Sequence, residues 1–292
     1  MSQTQSNRDP QATAGEGKAA GTGCLSRVAG RQPLVRLLWE AGAGPRMSCS
    51  GMIRGGRVAV NGRVIHDSRA RADPFRDEIT LDGEPLPLDN ACRYLLFNKP
   101  YGVLCAFTDP DYERGERDER RPVLADYVDV PGVYAAGRLD FDSEGLLLLT
   151  DDGWLIHRLG QPRYQHPKTY LVQVEGRPGV EALVALRKGV VVKGRRTAPA
   201  EVELLPQPPQ LPPRGKPIRV RKSVPTAWLR LVLTEGRKRQ VRHMTAAVGC
   251  PTLRLVRVGI GPLEMGDLEP GAWRNLTLGE LDALQAMLLA PK

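Results

Sequence analysis

The stretch GRLDFDSEGLLLLTDDG fills residues 137–153. Its four consecutive leucines, Leu146 to Leu149, cannot alternate between core and solvent. They predict a buried strand, ended by the Asp151-Asp152-Gly153 turn. Just ahead of it stands an acid, Asp140, two positions after Arg138 and among small Gly and Ser residues. A carboxylate beside an apolar run is unusual, because an unpaired buried charge is costly. The residues alone leave its task open. Asp140 serves as a turn carboxylate that caps the next element, pairs with Asp142 as acid and nucleophile of a glycosidase, or carries other chemistry. A glycosidase pair normally comes from two different elements, which weighs against the second reading.

Outward from this strand the pattern is mixed. YLLFNKP, from Tyr94, reads as a strand entering a turn, and WLIHRL (154–159) as a helix. TYLVQVEG (169–176) is a predicted strand, and EALVALRKGV a helix stopped at Gly189. Pro206, Pro208, Pro209, Pro212, Pro213 and Pro217 then demand a loop. AWLRLVLTEG (227–236) places Leu229, Leu231 and Leu233 on one strand face, and RKRQVRHMTAAVG reads as a helix with Val241, Met244 and Val248 inward. ELDALQAMLLA closes the chain as a short amphipathic helix. The order of elements is α+β.

Residues 33–87 form a smaller unit. PLVRLLWEAG carries Val35, Leu38 and Trp39 at helical spacing, and a second short helix runs from Met47 to Arg54. RVAV and RVI flank Asn61-Gly62, a strong hairpin signal, and EITL with Asp82-Gly83 repeats the strand-turn pattern. Residues 1–32, poor in large apolar side chains, read as a disordered tail. Residues 88–292 make the second, larger domain.

The chain has 292 residues and a net charge of +9, from 42 Lys and Arg against 33 Asp and Glu. Ten of the basic residues and one acid fall between Arg214 and Met244, so the remainder is neutral. That excludes a generally sticky basic protein and points to one localised polyanion site. No apolar run is long enough for a transmembrane helix and no secretory signal opens the chain, so a cytoplasmic protein without membrane partners is expected. Five scattered cysteines suit a reducing compartment. Without a His-Cys cluster, a metal site is not expected.

Two resemblances sharpen this reading. GGRVAVNGRVI followed by DEITLDGEPL resembles the alpha-L (S-four type) RNA-binding module of a small-subunit ribosomal protein and several RNA-modifying enzymes. It implies phosphate contacts from Arg36, Arg46, Arg54, Arg57 and Arg63. This copy is degenerate: its second helix is poor in basic residues and the unit nets only about +1, so a weak grip is expected. GRLDFDSEGLLLLTDDG, KTYLVQVEG (168–176) and LTEGRKRQVRHM (233–244) resemble the three motifs of the pseudouridine synthases that modify single uridines in bacterial ribosomal RNA. Within that group the chain is most similar to the large-subunit synthase E type. Synthases of that type usually lack the N-terminal module, so a different target base is conceivable here.

The resemblance implies a catalytic domain built on a mixed, mainly antiparallel sheet flanked by helices. It also implies a redox-neutral isomerisation of uridine with no cofactor. Asp140 becomes the essential carboxylate, attacking the sugar or taking its proton, with Arg242 as the cation that keeps it ionised. Tyr170 stacks on the uracil and serves late proton transfer, and Arg138 fills the space left by the flipped base. Leu231 or Leu233 supplies the apolar wall. Arg219, Arg221 and Lys222, on the loop, and Arg237, Lys238 and Arg239, opening the following helix, contact RNA; cations at a helix start oppose its dipole unless phosphates neutralise them. The expected partner is ribosomal RNA, 23S foremost, met by a monomer. A synthase of 16S or transfer RNA, and a non-catalytic RNA-binding or ribosome-assembly factor, stand as alternatives.

Overall fold

The computed structural model describes residues 31–74, 77–87, 92–218, 221 and 223–290. In the N-terminal module, α1 (Leu34–Glu40) and α2 (Arg46–Arg54) precede β1 (Val58–Val60), β2 (Arg63–Ile65) and β3 (Ile79–Leu81). The hairpin falls at Asn61-Gly62 as predicted, with β1 between β2 and β3. Leu34, Leu37, Leu38, Cys49, Ile53, Val58 and Ile79 form a core of this module's own. Of the expected stripe Val35, Leu38 and Trp39, Leu38 is fully buried and Val35 packs against the core, while Leu34 and Leu37 take the remaining buried positions. Trp39 lies exposed at the surface, with the Arg46 guanidinium over its ring. Order also starts earlier than Pro33, because Gln32 is buried and pairs with Ala72. The rest of the predicted tail, residues 1–30, lies outside the described residues.

The larger, C-terminal part of the chain is organised by one sheet. Its principal strands are β4 (Tyr94–Lys99), β5 (Glu144–Thr150), β6 (Lys168–Glu175), β7 (Glu201–Leu204), β8 (Thr226–Leu233), β9 (Thr252–Ile260) and β10 (Trp273–Asn275). They lie in the order β7-β8-β6-β9-β5-β4-β10. Every neighbouring pair is antiparallel except β9 with β5, which run parallel. The four leucines of β5 explain its central place. Leu146 and Leu148 face a core shared with α3 (Gly153–Gly160) and the C-terminal α6 (Leu278–Leu289). Leu147 and Leu149 face the other way, onto Leu95, Phe97, Leu124 and Leu139. On that second side α4 (Val180–Lys188) and α5 (Gln240–Ala247) cover β6 and β8 through Leu186, Val241 and Met244. Apolar packing on both faces leaves no solvated side for this run.

Two details differ from the sequence reading. β9, the longest strand, carries Arg254 and Arg257 among its buried residues. Arg254 reaches the Glu144 carboxylate with two hydrogen bonds of 3.0 and 2.8 Å and donates to the Pro212 carbonyl, fastening the proline-rich loop to the sheet. Second, α5 begins at Gln240, so Arg237 and Lys238 lie in the turn before it and Arg239 caps it.

The parallel β5–β9 contact depends on one glycine. Gly145 has φ +103°, and a Cβ there would lie 2.2 Å from the Arg257 carbonyl oxygen and 2.8 Å from its amide nitrogen. Gly145→Ala is expected to destabilise the fold by about 3 kcal/mol or more, since backbone rather than a flexible side chain must yield. Urea denaturation measures this, and a midpoint equal to the parent's would contradict it.

Candidate active site

The parallel step to β9 places the loop before β5 at the edge of a cavity. A turn closed by the Ser143 amide on the Asp140 carbonyl, 3.0 Å, presents Asp140 four residues ahead of the strand. Among the described residues Asp140 makes no ion pair, and its carboxylate lines the cavity. Its neighbour Asp142 is the opposite case. Arg239 grips Asp142 with two hydrogen bonds of 2.8 Å, and the Arg242 Nε lies 3.3 Å from the same carboxylate. A second Arg242 nitrogen donates to the Asp142 carbonyl at 2.6 Å.

Burial alone would push the Asp142 carboxyl up. The Arg239 hydrogen bonds and the charges of Arg242 and Arg239 outweigh it and hold the group below its ordinary value. Burial lowers the pKa of Arg242, against the pull of Asp142. Arg239 adopts left-handed backbone, φ 57°, a conformation that costs a non-glycine residue about 1–2 kcal/mol and that its two-pronged grip helps to hold. Both arginines feel the charge of Asp140. The expected Asp140–Arg242 partnership is thus a field rather than a contact, because Asp142 takes the direct bond. No cue in the sequence marked Asp142 as that anchor, since its partners lie about a hundred positions downstream.

The cavity has a volume of about 730 Å³ and gathers residues from all three motifs. Arg138, Asp140, Tyr170, Leu233, Arg237, Lys238 and Arg239 line it together. Tyr170 stands in β6, with Leu231 as its partner on β8 and Arg257 as its partner on β9. Of the two leucines considered for the apolar wall, Leu233 lines the cavity, while Leu231 is fully buried in the core cluster. Two cationic lining residues escaped the sequence reading. They are Lys168, two positions before Tyr170 on the same strand face, and Arg257, which is 1% exposed.

The predicted phosphate contacts divide. Lys238 is exposed on the rim, with no side-chain partner among the described residues. Arg237 is half-buried and anchored to the Arg195 and Arg196 carbonyls, so part of its hydrogen-bonding capacity is structural. Arg237 and Lys238 precede α5 and Arg239 is its N-cap, so all three stand at the positive end of its dipole. Arg221 sits 3.4 Å from Glu175. Arg219 and Lys222 lie outside the described residues. In the module, Arg36 is bonded to Glu40 and Arg57 to Asp82, while Arg54 and Arg63 are exposed without an ion pair among the described residues.

Comparisons with known proteins meet this geometry. A profile described as RNA pseudouridylate synthase matches residues 93–247, more than half the chain and the whole of the cavity's three motifs. The chain belongs to that family. A ribosomal large subunit pseudouridine synthase E of Xanthomonas axonopodis pv. citri is 59% identical over 176 residues, 60% of this chain and 90% of the relative. A ribosomal small subunit pseudouridine synthase A of Escherichia coli is 35% identical over 235 residues, 78% of this chain and 89% of the relative. A crystal structure of a pseudouridylate synthase superposes with TM-score 0.55 at 29% identity, covering 87% of this chain and 99% of that one. The longer match to the small-subunit enzyme leaves about 64 residues of this chain outside it, so it reaches into 33–87. The E-type match is short enough to fit within 88–292.

Proposed function

We propose that this synthase isomerises one uridine of 23S ribosomal RNA, with Asp140 as the essential carboxylate. The observation that carries the reading is one cavity lined together by a carboxylate that makes no ion pair among the described residues, an aromatic ring and several cations. A stacked base cannot enter such a cavity, so the target nucleotide is flipped out. Arg138, exposed at the mouth, occupies the vacated space, and Tyr170 stacks on the uracil. Leu233 forms the apolar wall behind it. Asp140 then attacks C1′ or takes the C2′ proton, with the guanidinium charges of Arg239 and Arg242 nearby to stabilise what develops there. Lys238, with Arg237 beside it, meets the phosphates flanking the flipped nucleotide. The enzyme acts as a monomer in the cytoplasm; among the described residues no helix is long and apolar enough to cross a membrane.

The choice of 23S RNA rests on the 59% identity to an E-type enzyme over the catalytic domain. A 16S target is the second reading, favoured by the match to a small-subunit synthase that extends into the N-terminal module. We read that module as an RNA-binding unit of modest strength, because two of its five candidate arginines are taken by Glu40 and Asp82. A non-catalytic binding factor would have no use for Asp140 in an open cavity.

Chemical mapping of pseudouridine in ribosomal RNA from cells with and without the protein tests the reading. It expects one 23S position to lose its modification; an unchanged 23S map with a lost 16S site would favour the second reading. Deleting residues 1–87 probes the module separately. If it adds phosphate contacts only, the truncated enzyme keeps its target, binds more weakly, and shows a salt dependence shallower by about one to two units in log–log slope. Loss of modification at saturating RNA would contradict this.

A further inference from the structure

We propose that Lys168, supported by Arg257, holds the negative charge of the uracil base once its bond to the sugar has broken. The inference rests on the synthase reading above and assigns a task to the cavity wall that the three motif residues leave unused. Lys168 and Tyr170 stand two residues apart on β6, so both project into the cavity. Lys168 has three N–H donors and spends one on the His166 carbonyl at 3.3 Å. It makes no ion pair among the described residues.

Arg257, across the strand from Tyr170, donates from Nε to the Leu146 carbonyl at 2.7 Å and from Nη1 to the Arg138 carbonyl at 3.5 Å. Its Nη2 is buried without a partner. Two cations thus line the same cavity, and the charge that acts on Lys168 is that of the other cation, Arg257. Burial, and then the charge of Arg257, lower the Lys168 pKa to about 8. A cation kept so poorly compensated is completed by an anion.

Phosphates are met at the rim, where Lys238 is exposed. The cavity beside Tyr170 receives the base. Uracil enters neutral. When the C1′–N1 bond breaks, its electron pair leaves with the base and spreads over N1, O2 and O4. The deficit at C1′ is made good by a bond to Asp140 or by loss of the C2′ proton, which is later returned. C5 then bonds to C1′ as the Asp140–C1′ bond breaks and frees the carboxylate, or as the C2′ proton is returned; the C5 proton departs and N1 takes up a proton, so nothing is gained or lost overall. The base is anionic only between these events, and a fixed cation strengthens its contact there and not in the bound ground state. Lys168 is in this account a catalytic residue. Arg257 is a positioning residue, which also ties down the carbonyl of Arg138.

Lys168→Met, assayed in single turnover on 23S transcripts containing uridine or 5-fluorouridine, tests this. Fluorine makes the departing base a more stable anion and so reduces its need for the lysine. The expected penalty is about 10²- to 10³-fold on uridine, with RNA affinity changed less than about threefold. On loss of the 5-fluorouridine glycosidic bond it shrinks to about tenfold or less. Lys168→Arg, which keeps the charge, should recover most of the rate, and Lys168→Gln gives the same comparison should the methionine variant unfold. Equal penalties on both RNAs, no penalty, or a loss confined to RNA affinity would each overturn the proposal and leave the synthase reading intact. Wild-type protein inert toward the uridine transcript would remove both.

Discussion

Asp140→Asn is expected to reduce pseudouridine formation by about 10⁴-fold or more, while RNA affinity changes by less than about tenfold, roughly 1.4 kcal/mol. The amide keeps the shape of the side chain and removes only its charge. Among the described residues no cation is bonded to Asp140, so the variant orphans no ion-pair partner. Its urea midpoint should lie close to the parent's, with a stability difference below about 1 kcal/mol. Single-turnover rates, filter binding and denaturation measured on the same preparation separate these effects. An Asp140→Asn protein with parental rate would end the catalytic assignment. One that had lost RNA binding instead would recast Asp140 as part of the binding surface.

Asp142→Asn, two positions on, should behave differently in every respect. Asp142 anchors Arg239 and Arg242, and Arg242 is the more buried of the two. Without the carboxylate charge, two guanidinium groups lose their common partner and repel each other, at a cost of about 1–3 kcal/mol for a cluster that is only partly buried. The freed arginines also lie near the one remaining acid. We expect them to fall onto Asp140 and block the contact with the sugar, lowering the rate by about 10²-fold beyond what instability explains. The check is the rate measured well below the melting transition, where the fraction folded is the same as for the parent. Unchanged catalysis there would mean that the cluster holds the loop in place but does not set the field around Asp140. Two aspartates of one short loop thus have opposite signatures: one variant stable and inactive, the other destabilised and slow.

The contrast also marks where sequence reasoning reached and where it stopped. The leucine run of β5 was legible because a strand buried on both faces leaves a continuous apolar signal. The Asn61-Gly62 hairpin was legible because two left-handed residues there favour those types. β9 was not, although it pairs with both β6 and β5. Arg254 and Arg257 interrupt its apolar pattern, and only the fold brings Glu144 and the Leu146 carbonyl to them. The start of α5 was misplaced by three residues, since a basic run with a good helical continuation carries no visible cap. The left-handed Arg239 is the stop signal, and its side chain is committed to an acid 97 positions away. The motif residues Arg138, Asp140 and Tyr170 do converge on one cavity, as expected from their resemblance to a known set. The pairing of Arg242 with Asp142, the choice of Leu233 over Leu231, and the Lys168–Arg257 pair are matters of register and burial, which spacing alone does not encode.

The account makes its most direct commitment about C5. Conversion of uridine to pseudouridine replaces the C5–H bond with C5–C1′, so tritium placed at C5 must leave as water. Purified protein incubated with 23S RNA tritiated at C5 of uridine should release close to one equivalent of tritium per RNA, and the Asp140→Asn variant none. No release from 23S RNA by the wild-type protein, or equal release by the two proteins, would contradict it.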